Sequence, residues 1–589
     1  MNFTSRKMKF VLLVFVFTLL TSACSNKIIY DENGKPIGNK NVEPMQSIDE
    51  ISLREMKSVY DNDDDSSIVT MYLTVSKGNS VDGTNHTWGE INTHSVYYYQ
   101  ENGIPRYAVE GILQVGDEYG PLTGEFGYGK VTPNSTVSVR GQNSSKSAQK
   151  SYKISIRSSE GLWREQTHIA LNKHVYDTVR FRNKLSYDLL KTIPSAFSTR
   201  TQFVRLYVKD LTEGNTDAKF VDHGLYTQVE QFNKKYLRAR GLDENGQLYK
   251  AINFNFQSYP DELRLINDPE YDFDKFESIL ETRGSDDHSK MIAMLADVND
   301  YSIPIEEIFG KYFDEENYFT WLAFQLMTGN KDTVNQNFFL YSPLNAQRWY
   351  FISWDNDSAW ESEQNSVYDT DKGYNYTFGL SNYWGSVIHK RVLSSPEYRK
   401  KLDDKVNEIR GIVSHDKIQD LTAKYDAVVR PYIFSMPDLM HAPKTPSEYE
   451  QILEMIPKEA ELNYQYYQTS IKKPMPFRIS PPVKEGAEIV FSWEDSYDMN
   501  GGALKYTFEL ASDYHFTNPI MVETDLGTPT IKYETLPAGQ YFQRVSVSNE
   551  SGETGTAMGI YKAADDLNYY GVKCFYIGLD GSVRSVENE

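Results

Sequence analysis

GNKDTVNQNFFLY at residues 329–341 and FISWDND at residues 351–357 are the stretches of sequence that decide the fold. In each of them a polar segment that carries a carboxylate adjoins an apolar, strand-like run. Residues 342–345, Ser-Pro-Leu-Asn, have the composition of a turn. The pattern therefore predicts two strands joined by a turn, with Asp332 before the first strand and Asp355 after the second.

The spacing of the polar residues indicates a chemistry. Asp332 and Asn337 have the D-x-x-x-x-N spacing, and Asp355 follows the hairpin. In phosphoryl transfer by protein kinases, one Asp orients the attacking hydroxyl, while an Asn five residues later and a second Asp hold Mg²⁺ on the phosphates. Asp332 is thus the candidate catalytic residue, and Asn337 and Asp355 are candidate metal ligands, with Asn335 as an alternative to Asn337. Asp357 is either a further ligand or the cap of the following turn.

Three other stretches extend the pattern. They are SVRGQNSS at 138–145 with KSYKI at 150–154, LNK at 171–173 with Asp177 and RNKL at 182–185, and GLYTQVEQ at 224–231. Together with the two acidic stretches, they resemble the CotH kinase family, the spore-coat protein H-like atypical kinases, over roughly residues 66–475. The resemblance implies ATP and Mg²⁺ as cofactors. Asp177, Arg182 and Asn183 are interpreted as structural.

Two lysines are candidates for contact with phosphate. Lys150 and Lys153 are three residues apart, so in a strand they face opposite sides and only one can enter a cleft; the alternation that follows favours Lys153. Arg140 precedes a Ser- and Asn-rich loop whose backbone N–H groups could cover phosphates, although a polar hairpin turn fits it too. By the resemblance, Glu230 lies near the adenine edge or the inter-lobe hinge; a surface Glu at a strand end is the alternative.

Hydrophobic periodicity predicts an α+β fold that ends in an all-β sandwich. The resemblance implies that residues 66–475 form a bilobal, atypical protein-kinase-like domain. Residues 66–285 are predicted as a strand-rich lobe and residues 286–475 as a helix-rich lobe. The predicted strands of the first lobe are Ile68–Val75, those within Ser138–Ile156, and the hairpin Gln202–Val208 and Gly224–Glu230. The predicted helices are Thr178–Thr192, Ile303–Phe313, Glu315–Thr328, Pro396–Val413, Ile418–Ile433 and Ser447–Ile471.

The C-terminal part alternates in the manner of strands. Residues 476–562 carry a Trp on an early strand and a Gly-x-Tyr-x-x-Arg-Val late strand, and so resemble a fibronectin type III or Ig-like module. Residues 563–589 are predicted as a tail with a short strand pair. Cys574 lies in an apolar run there and is predicted to be a small buried hydrophobe.

The first residues indicate the compartment. A basic start and the apolar run Phe10–Leu20 predict a signal peptide at residues 1–23, because the run is too short to span a bilayer comfortably. Small residues before Cys24 resemble a bacterial lipobox, with Cys24 as the lipidated N-terminus of an extracytoplasmic protein anchored to the cell membrane; an ordinary signal peptide is the alternative. Residues 24–65 are polar and are predicted as a flexible tether.

Charge bears on the partners. The 589 residues have a formal net charge of −21, which argues against nucleic acid. Such acidity suits a protein substrate rich in Lys, Arg and Ser, or it serves solubility alone. The His residues have no zinc-type spacing, and no phosphate-binding P-loop is present.

These observations together predict a membrane-anchored, extracytoplasmic kinase that transfers the γ-phosphoryl of ATP to Ser or Thr of secreted, envelope or spore-coat proteins. Two other classes stay open. One is a non-catalytic cell-surface binding protein on a kinase-like scaffold. The other is a glycan-active or glycan-binding protein, suggested by paired carboxylates, abundant Tyr and Trp and the fibronectin-like module.

Overall fold

A computed structural model of the chain describes residues 52–64, 66–361, 374–442, 444–563 and 567–585, and four two-residue strands outside or at the edge of these ranges. The chain divides into two units, residues 1–51 and residues 52–589. In the first unit, strands β1 (Ile29–Tyr30) and β2 (Pro36–Ile37) pair antiparallel. The predicted signal peptide and Cys24 lie outside the described residues.

A closed ring of strands begins the second unit. Its sheet contains β3 (Ile68–Ser76), β4 (Val109–Asp117), β5 (Gly120–Pro121), β6 (Ser135–Arg140), β7 (Ser151–Ile156), β8 (His168–Asn172), β9 (Thr201–Asp210) and β10 (Val221–Glu230). The strands follow the order β3-β9-β10-β8-β7-β6-β4, and β4 pairs again with β3, so these seven strands form a barrel. The β3–β9 pair is parallel and the others are antiparallel. Every strand of the ring contributes apolar side chains to one cluster, the barrel core.

Short helices accompany the barrel. They are α1 (Trp88–Thr93), α2 (Val96–Asn102), α3 (Arg182–Lys191) and α4 (Lys234–Ala239). A capping box formed by Thr87 and Glu90 starts α1, and Trp88 lies in the barrel core. The predicted helix Thr178–Thr192 begins only at Arg182, because the Asp177 carboxylate accepts the N–H groups of Val179 and Arg182 in place of helical partners.

The helix-rich part surrounds a second, smaller sheet. Its strands, in the order β12-β11-β13-β14, are β11 (Gln247–Ala251), β12 (Leu280–Thr282), β13 (Phe338–Ser342) and β14 (Tyr350–Ser353). The helices are α5 (Phe273–Ile279), α6 (Ser289–Asn299), α7 (Ile305–Tyr312), α8 (Glu315–Thr328), α9 (Val387–Ser394), α10 (Pro396–Ile412), α11 (His415–Ile433), α12 (Pro446–Met455) and α13 (Glu459–Lys472). Strands β15 (Tyr368–Asp369) and β16 (Gly373–Tyr374) form a separate pair.

Two predictions for this part need correction. The predicted helix Ser447–Ile471 is two helices, α12 and α13, separated by a 3₁₀ turn at Ile456–Lys458, since Pro457 cannot continue an α-helix. The predicted change from one lobe to the next at residue 285 does not match the cores. The large core that contains the helices already includes side chains from Val179 onward.

The C-terminal strands form a three-stranded sheet, a six-stranded sheet and the separate pair β24–β25. The strands are β17 (Val483–Glu485), β18 (Glu488–Ser492), β19 (Lys505–Ala511), β20 (Met521–Leu526), β21 (Thr530–Glu534), β22 (Gly539–Ser548), β23 (Thr554–Thr556), β24 (Ile560–Lys562), β25 (Asn568–Tyr570), β26 (Val572–Ile577) and β27 (Val583–Ser585). Phe491 of the three-stranded sheet β17-β18-β21 packs on Phe508 and Phe575 of the six-stranded sheet. Because β26 pairs along β22, the segment predicted as a tail from residue 563 is part of that sheet. Cys574 is buried there, as predicted.

Residues 52–64 are bound to the folded unit, although the composition predicted a tether through residue 65. The Glu55 carboxylate accepts a hydrogen bond from Arg240 at 3.1 Å, and the Met56 N–H donates to the Arg240 carbonyl at 3.0 Å. Glu55 is 4% exposed. In the ranges that the structure describes, no helix is long and apolar enough to cross a membrane.

Candidate active site

The two acidic stretches meet at one end of the β13–β14 hairpin, as the sequence predicts. Helix α8 ends at Gly329, whose φ of 63° is the left-handed conformation that glycine adopts most easily. The next residue, Asn330, donates through its side chain to Gln325 at 3.0 Å and to Asn356 at 3.2 Å. Ser353 also donates to Asn356, at 2.6 Å. Buried amide hydrogen bonds therefore fix both carboxylate-bearing loops to the same helix end.

Asp332 and Asn337 are in direct contact. The Asn337 side-chain amide donates to Asp332 Oδ2 at 2.8 Å, and Gln336 donates to Asp332 Oδ1 at 2.5 Å. Asn337 has a φ of 58°, a left-handed conformation that Asn tolerates better than most residues. The amide oxygen of Asn337, the atom that binds a metal, has no hydrogen-bond partner within the described residues.

Helix α3 positions the second stretch. The Asp355 N–H donates to the buried Tyr187 hydroxyl at 3.1 Å, and the Asn356 N–H donates to Asn183 Oδ1 at 3.0 Å. Asp355 has a φ of 52°. The strained backbone is therefore held from both sides of the residue, which is typical of functional sites. Asn183 has the structural role that the sequence assigns to it.

Negative charge accumulates between these elements. Burial raises the pKa of Asp357 well above its usual range, and the neighbouring carboxylates of Asp355, Asp177 and Asp332 raise it further. Burial and Asp355 also raise the pKa of Asp332, against the opposing effect of its amide partners. Asp177 is neutralised by Arg182 at 3.2 Å. Within the described residues, no donor binds the carboxylates of Asp355 and Asp357.

The donor set fits a hard divalent cation. Half-buried Asp355 and Asp357 and the unengaged amide oxygen of Asn337 are oxygen ligands of the kind that Mg²⁺ uses together with water and phosphate. In the part of the chain that the structure describes, no three His, Cys, Asp or Glu side chains converge closely enough to hold a metal by themselves. A cation here would therefore share its coordination with Asn337, water and a phosphate-bearing substrate.

A basic cluster faces the carboxylates. Burial lowers the pKa of Arg140, and the nearby carboxylate of Asp355 opposes this effect. Lys250 on β11 also interacts with Asp355 and with Glu281 and Arg140, while burial lowers the lysine pKa. Partial desolvation, Arg283, Arg140 and Arg106 lower the pKa of Lys153. We call Arg106, Arg140, Lys153, Lys250 and Arg283 the basic cluster.

Sequence reasoning proposed two members of the basic cluster, Arg140 and Lys153, and missed Arg106, Lys250 and Arg283. The three missed residues belong to no motif. Lys250 belongs to the basic cluster because β11 pairs with β13. This pairing places Lys250 beside Phe339, two residues after Asn337. Alternation along β11 was the only available signal, and the strand itself was not predicted.

Lys150 and Glu230 lie away from the acidic residues. The Lys150 ammonium donates to the Ser145 carbonyl at 2.6 Å, and its pKa is lowered by burial alone. Glu230 binds Arg240 at 2.7 Å and Arg200 at 2.6 Å in a buried network. The described contacts thus connect Glu230 to charged side chains of the fold and not to Asp332 or Asp355.

Comparisons with known proteins bear on the family of the chain. No curated protein matches the chain. A solved structure titled "Structure of FN3tt mut" aligns with 15% of this chain and 90% of its own, at 17% identity and a TM-score of 0.11. The family model described as "CotH kinase protein" matches residues 137–467, which is more than half of the chain and includes both acidic stretches. The chain therefore belongs to the CotH kinase family.

Proposed function

We propose that this protein is an Mg²⁺-dependent atypical kinase that transfers the γ-phosphoryl group of ATP to Ser or Thr hydroxyls of a protein. Membership of the CotH kinase family supports a kinase-like enzyme. The observation that carries the finer proposal is the opposition of two charge clusters, in which Asp355 interacts with Arg140 and Lys250. A phosphate chain between the clusters would be bound by the cations on one side and, through a metal, by the carboxylates on the other.

Asp332 is the proposed acceptor of the hydroxyl proton. Its carboxylate is held by the amides of Gln336 and Asn337, so its orientation is fixed before substrate binds. Burial and Asp355 raise its pKa, and a carboxylate with a raised pKa is a stronger base. These two properties suit a residue that aligns a hydroxyl and takes its proton as the phosphoryl group moves.

Asn337, Asp355 and Asp357 are the residues that would hold Mg²⁺. When bound, the metal would neutralise the phosphate charge and orient the γ-phosphoryl group. The protein contributes a preformed set of oxygens, because Tyr187 and Asn183 fix the turn that bears both carboxylates. Asp355 and Asp357 repel each other, and a cation bound between them would relieve this repulsion.

The basic cluster would bind the phosphates. Arg140 and Lys153 come from adjacent barrel strands, β6 and β7, where Arg140 pairs with Ser151 and Lys153 pairs with Ser138. Lys250 and Arg283 come from the smaller sheet at β11 and just after β12. Phosphate would thus link the barrel to the helix-rich part of the unit.

We further propose that the enzyme acts outside the cytoplasm, held to the cell membrane by a lipid at Cys24. The sequence from Arg6 to Cys24 supports this location. A secreted, envelope or spore-coat protein is then the substrate class, and the net charge of −21 favours a substrate rich in Lys, Arg and Ser. Palmitate labelling of the wild type that is lost in Cys24→Ala would test the anchor.

Thermal stability in the presence of nucleotide tests the site. The chain from Ser25 is titrated with ATP, with Mg²⁺ and with both, alongside Asp355→Asn and the control Asp416→Asn. Asn is chosen because it tolerates the left-handed backbone of Asp355, so that only the charge is lost. Asp416 is a carboxylate whose side chain is 98% exposed.

At ATP concentrations of about 100 times Kd, binding should stabilise the folded wild type by about 2.7 kcal/mol. We expect this stabilisation to require Mg²⁺, to disappear in Asp355→Asn and to persist in Asp416→Asn. Equal stabilisation of Asp355→Asn and the wild type would remove Asp355 from the metal site. No response to any nucleotide would leave a kinase-like scaffold without the proposed activity.

A further inference from the structure

A cavity of about 320 Å³ opens at one end of the barrel, beside helix α1. Lys150, just before β7, and Lys173, just after β8, line it together with Tyr226 of β10. β7 and β8 are antiparallel neighbours, so these positions lie at the same end of the ring. Barrel mouths are common sites for small ligands.

The cavity lies on the other side of the barrel wall from the candidate active site. Tyr152 lines the cavity and belongs to the barrel core, whereas the next residue, Lys153, points outward into the basic cluster. Alternation of side chains along β7 therefore separates the two places. None of the acidic residues Asp332, Asp355 and Asp357 lines the cavity.

A buried cation with unused donors is present in the cavity. Lys150 is 7% exposed, and its ammonium group donates to the Ser145 carbonyl at 2.6 Å. An ammonium group has three N–H donors, and the other two have no partner in the described ranges. A buried charge whose N–H donors lack acceptors costs free energy, so the position favours a ligand that accepts hydrogen bonds.

The other charges of the cavity are paired. Lys173 contacts Asp438 at 2.6 Å, and burial lowers its pKa only to about 8, so it is still mostly charged at pH 7. Asp222 contacts Arg205 at 2.7 Å. Burial, together with Lys173, lowers the pKa of His223 to about 4, so this ring is neutral at pH 7. The charge left over is the positive charge of Lys150.

The walls add flat apolar surface and further donors. The Trp88 indole stacks on the Tyr152 ring with centroids 5.0 Å apart, and both line the cavity. The Tyr226 ring is 3% exposed, and its hydroxyl has no hydrogen-bond partner among the residues described. A ligand here would thus meet aromatic faces on one part and N–H and O–H donors on another.

Contacts between the barrel end and the helix-rich part define the shape of the cavity. Asp438 accepts hydrogen bonds from the Leu225 N–H at 2.9 Å and from Gln149 at 2.8 Å, which ties the barrel end to the helix-rich part. A Cβ at Gly224 would lie 2.1 Å from Asp438 Oδ2, so only glycine permits this approach. A β-bulge between Asp222 and Leu225 makes room for it.

We propose that the barrel-mouth cavity is a second ligand site, which binds a small organic anion: a carboxylate or phosphate ester attached to a ring or short apolar body. The anionic group binds Lys150 and the Tyr226 hydroxyl, and the body lies against Trp88 and Tyr152. Recognition needs both parts, because the positive charge and the aromatic wall are separate features of the lining.

Calorimetric titration of the chain from Ser25 tests this site. Benzoate and phenyl phosphate carry both features, inorganic phosphate carries only the charge, and benzyl alcohol carries only the ring. The variants are Lys150→Gln and Tyr226→Phe. Lys400→Gln is the control, since it removes a lysine whose side chain is 75% exposed and which belongs neither to the cavity nor to the basic cluster. Each variant is first checked for cooperative unfolding.

We expect benzoate, phenyl phosphate or both to bind the wild type and Lys400→Gln equally, and the two single-feature probes to bind at least 10-fold more weakly. Lys150→Gln should lower affinity about 10- to 100-fold and Tyr226→Phe about 2- to 10-fold. The preferred probe identifies the acid class. Failure of both two-feature probes to bind overturns the proposal, as does unchanged affinity in Lys150→Gln. If Lys150→Gln does not fold, unchanged affinity in Tyr226→Phe overturns it.

Discussion

The fold treats the buried carboxylate of Glu230 and the half-buried acidic group of Asp332, Asp355 and Asp357 in opposite ways. Glu230 is surrounded by Arg240 and Arg200, which overcome the effect of burial and lower its pKa to about 2. Asp357 lies among Asp355, Asp177 and Asp332, and burial and this repulsion raise its pKa. Glu230 is neutralised by direct ion pairs within the chain, whereas the described residues form no direct ion pair with Asp332, Asp355 or Asp357, which suits these carboxylates to an added cation.

The difference separates structure from function. A compensated buried charge holds elements together, and its removal exposes its partners to the cost of burial. An uncompensated group of carboxylates opposes folding, and it persists in proteins where a ligand or a reaction requires it. On this reading Glu230 supports the fold, and Asp332, Asp355 and Asp357 serve the reaction.

The largest expected effect is on catalysis. Asp332→Asn should lower the rate of phosphate release or autophosphorylation about 10²- to 10⁴-fold, because the proton acceptor is lost. ATP should still stabilise the variant in the presence of Mg²⁺. The exposed Asp416→Asn should keep the wild-type rate. A rate within threefold of wild type in Asp332→Asn would place the base elsewhere.

The next effect is on stability. Glu230→Gln should lower the free energy of unfolding by about 3–5 kcal/mol, since Arg200 and part of Arg240 are left buried without their carboxylate. Urea unfolding measures the change. The matched control is Glu461→Gln, which breaks an exposed pair with Arg410 and should cost less than about 1 kcal/mol. If both variants lost an equally small amount of unfolding free energy, Glu230 would not have the proposed structural role.

In the acidic group, by contrast, loss of a carboxylate should raise the free energy of unfolding. Asp357→Asn removes like-charge repulsion, so it should stabilise the metal-free chain at pH 8 by on the order of 1 kcal/mol. The same variant should bind Mg²⁺ and ATP less tightly than the wild type. A lower free energy of unfolding in Asp357→Asn would show that this carboxylate has a compensating partner.

The pH dependence of the free energy of unfolding tests the two opposite pKa shifts. Because the folded pKa of Asp357 is raised, its contribution to stability is full below its ordinary pKa near 3.8 and is lost as pH rises through the raised value. Glu230 behaves in the reverse manner and loses about 3 kcal/mol as pH falls from 4.5 to 2. In urea unfolding at several pH values above 3.8, the free energy of unfolding should fall less steeply with rising pH in Asp357→Asn than in the wild type. An unchanged slope would contradict the assignment.

The smallest effect is expected at the rim of the basic cluster. Arg283 has a side chain that is 45% exposed, so Arg283→Gln should raise KM for ATP only about 2- to 5-fold. The effect should shrink at high salt, because exposed charges are screened. Steady-state kinetics at two ionic strengths measure it. A loss as large as that in Arg140→Gln would make Arg283 a direct phosphate ligand.

Local patterns explain what could be predicted from the sequence. Helix α8 and the β13–β14 hairpin follow from apolar periodicity, a terminal Gly and turn residues, and all these signals lie within a few residues. The spacing of Asp332, Asn337 and Asp355 then brings the polar groups to one end of the hairpin. The acidic side of the site was therefore accessible to sequence reasoning.

Distant pairing explains what could not be predicted. The ring closes because β3 pairs in parallel with β9, more than a hundred residues away, and no local pattern encodes that partner. The Arg240 and Arg200 partners of Glu230 and the position of Lys250 depend on such pairings too. Lys150 shares a motif with Lys153, yet the barrel wall separates them.

The attachment of residues 52–64 has a mechanical consequence. A pull on the chain ahead of Ser52 is borne first by two hydrogen bonds, from the Ser52 hydroxyl to Asp314 at the start of α8 and from the Leu53 N–H to the Tyr350 hydroxyl on β14. Only after these does the load reach the hydrogen bond from Met56 to the Arg240 carbonyl and, through the Glu55–Arg240 and Arg240–Glu230 ion pairs, the barrel wall. Helix α8 and strand β14 are the elements that lead to Asp332 and Asp355. Tension on the leading segment is therefore transmitted to the elements that carry the candidate active site.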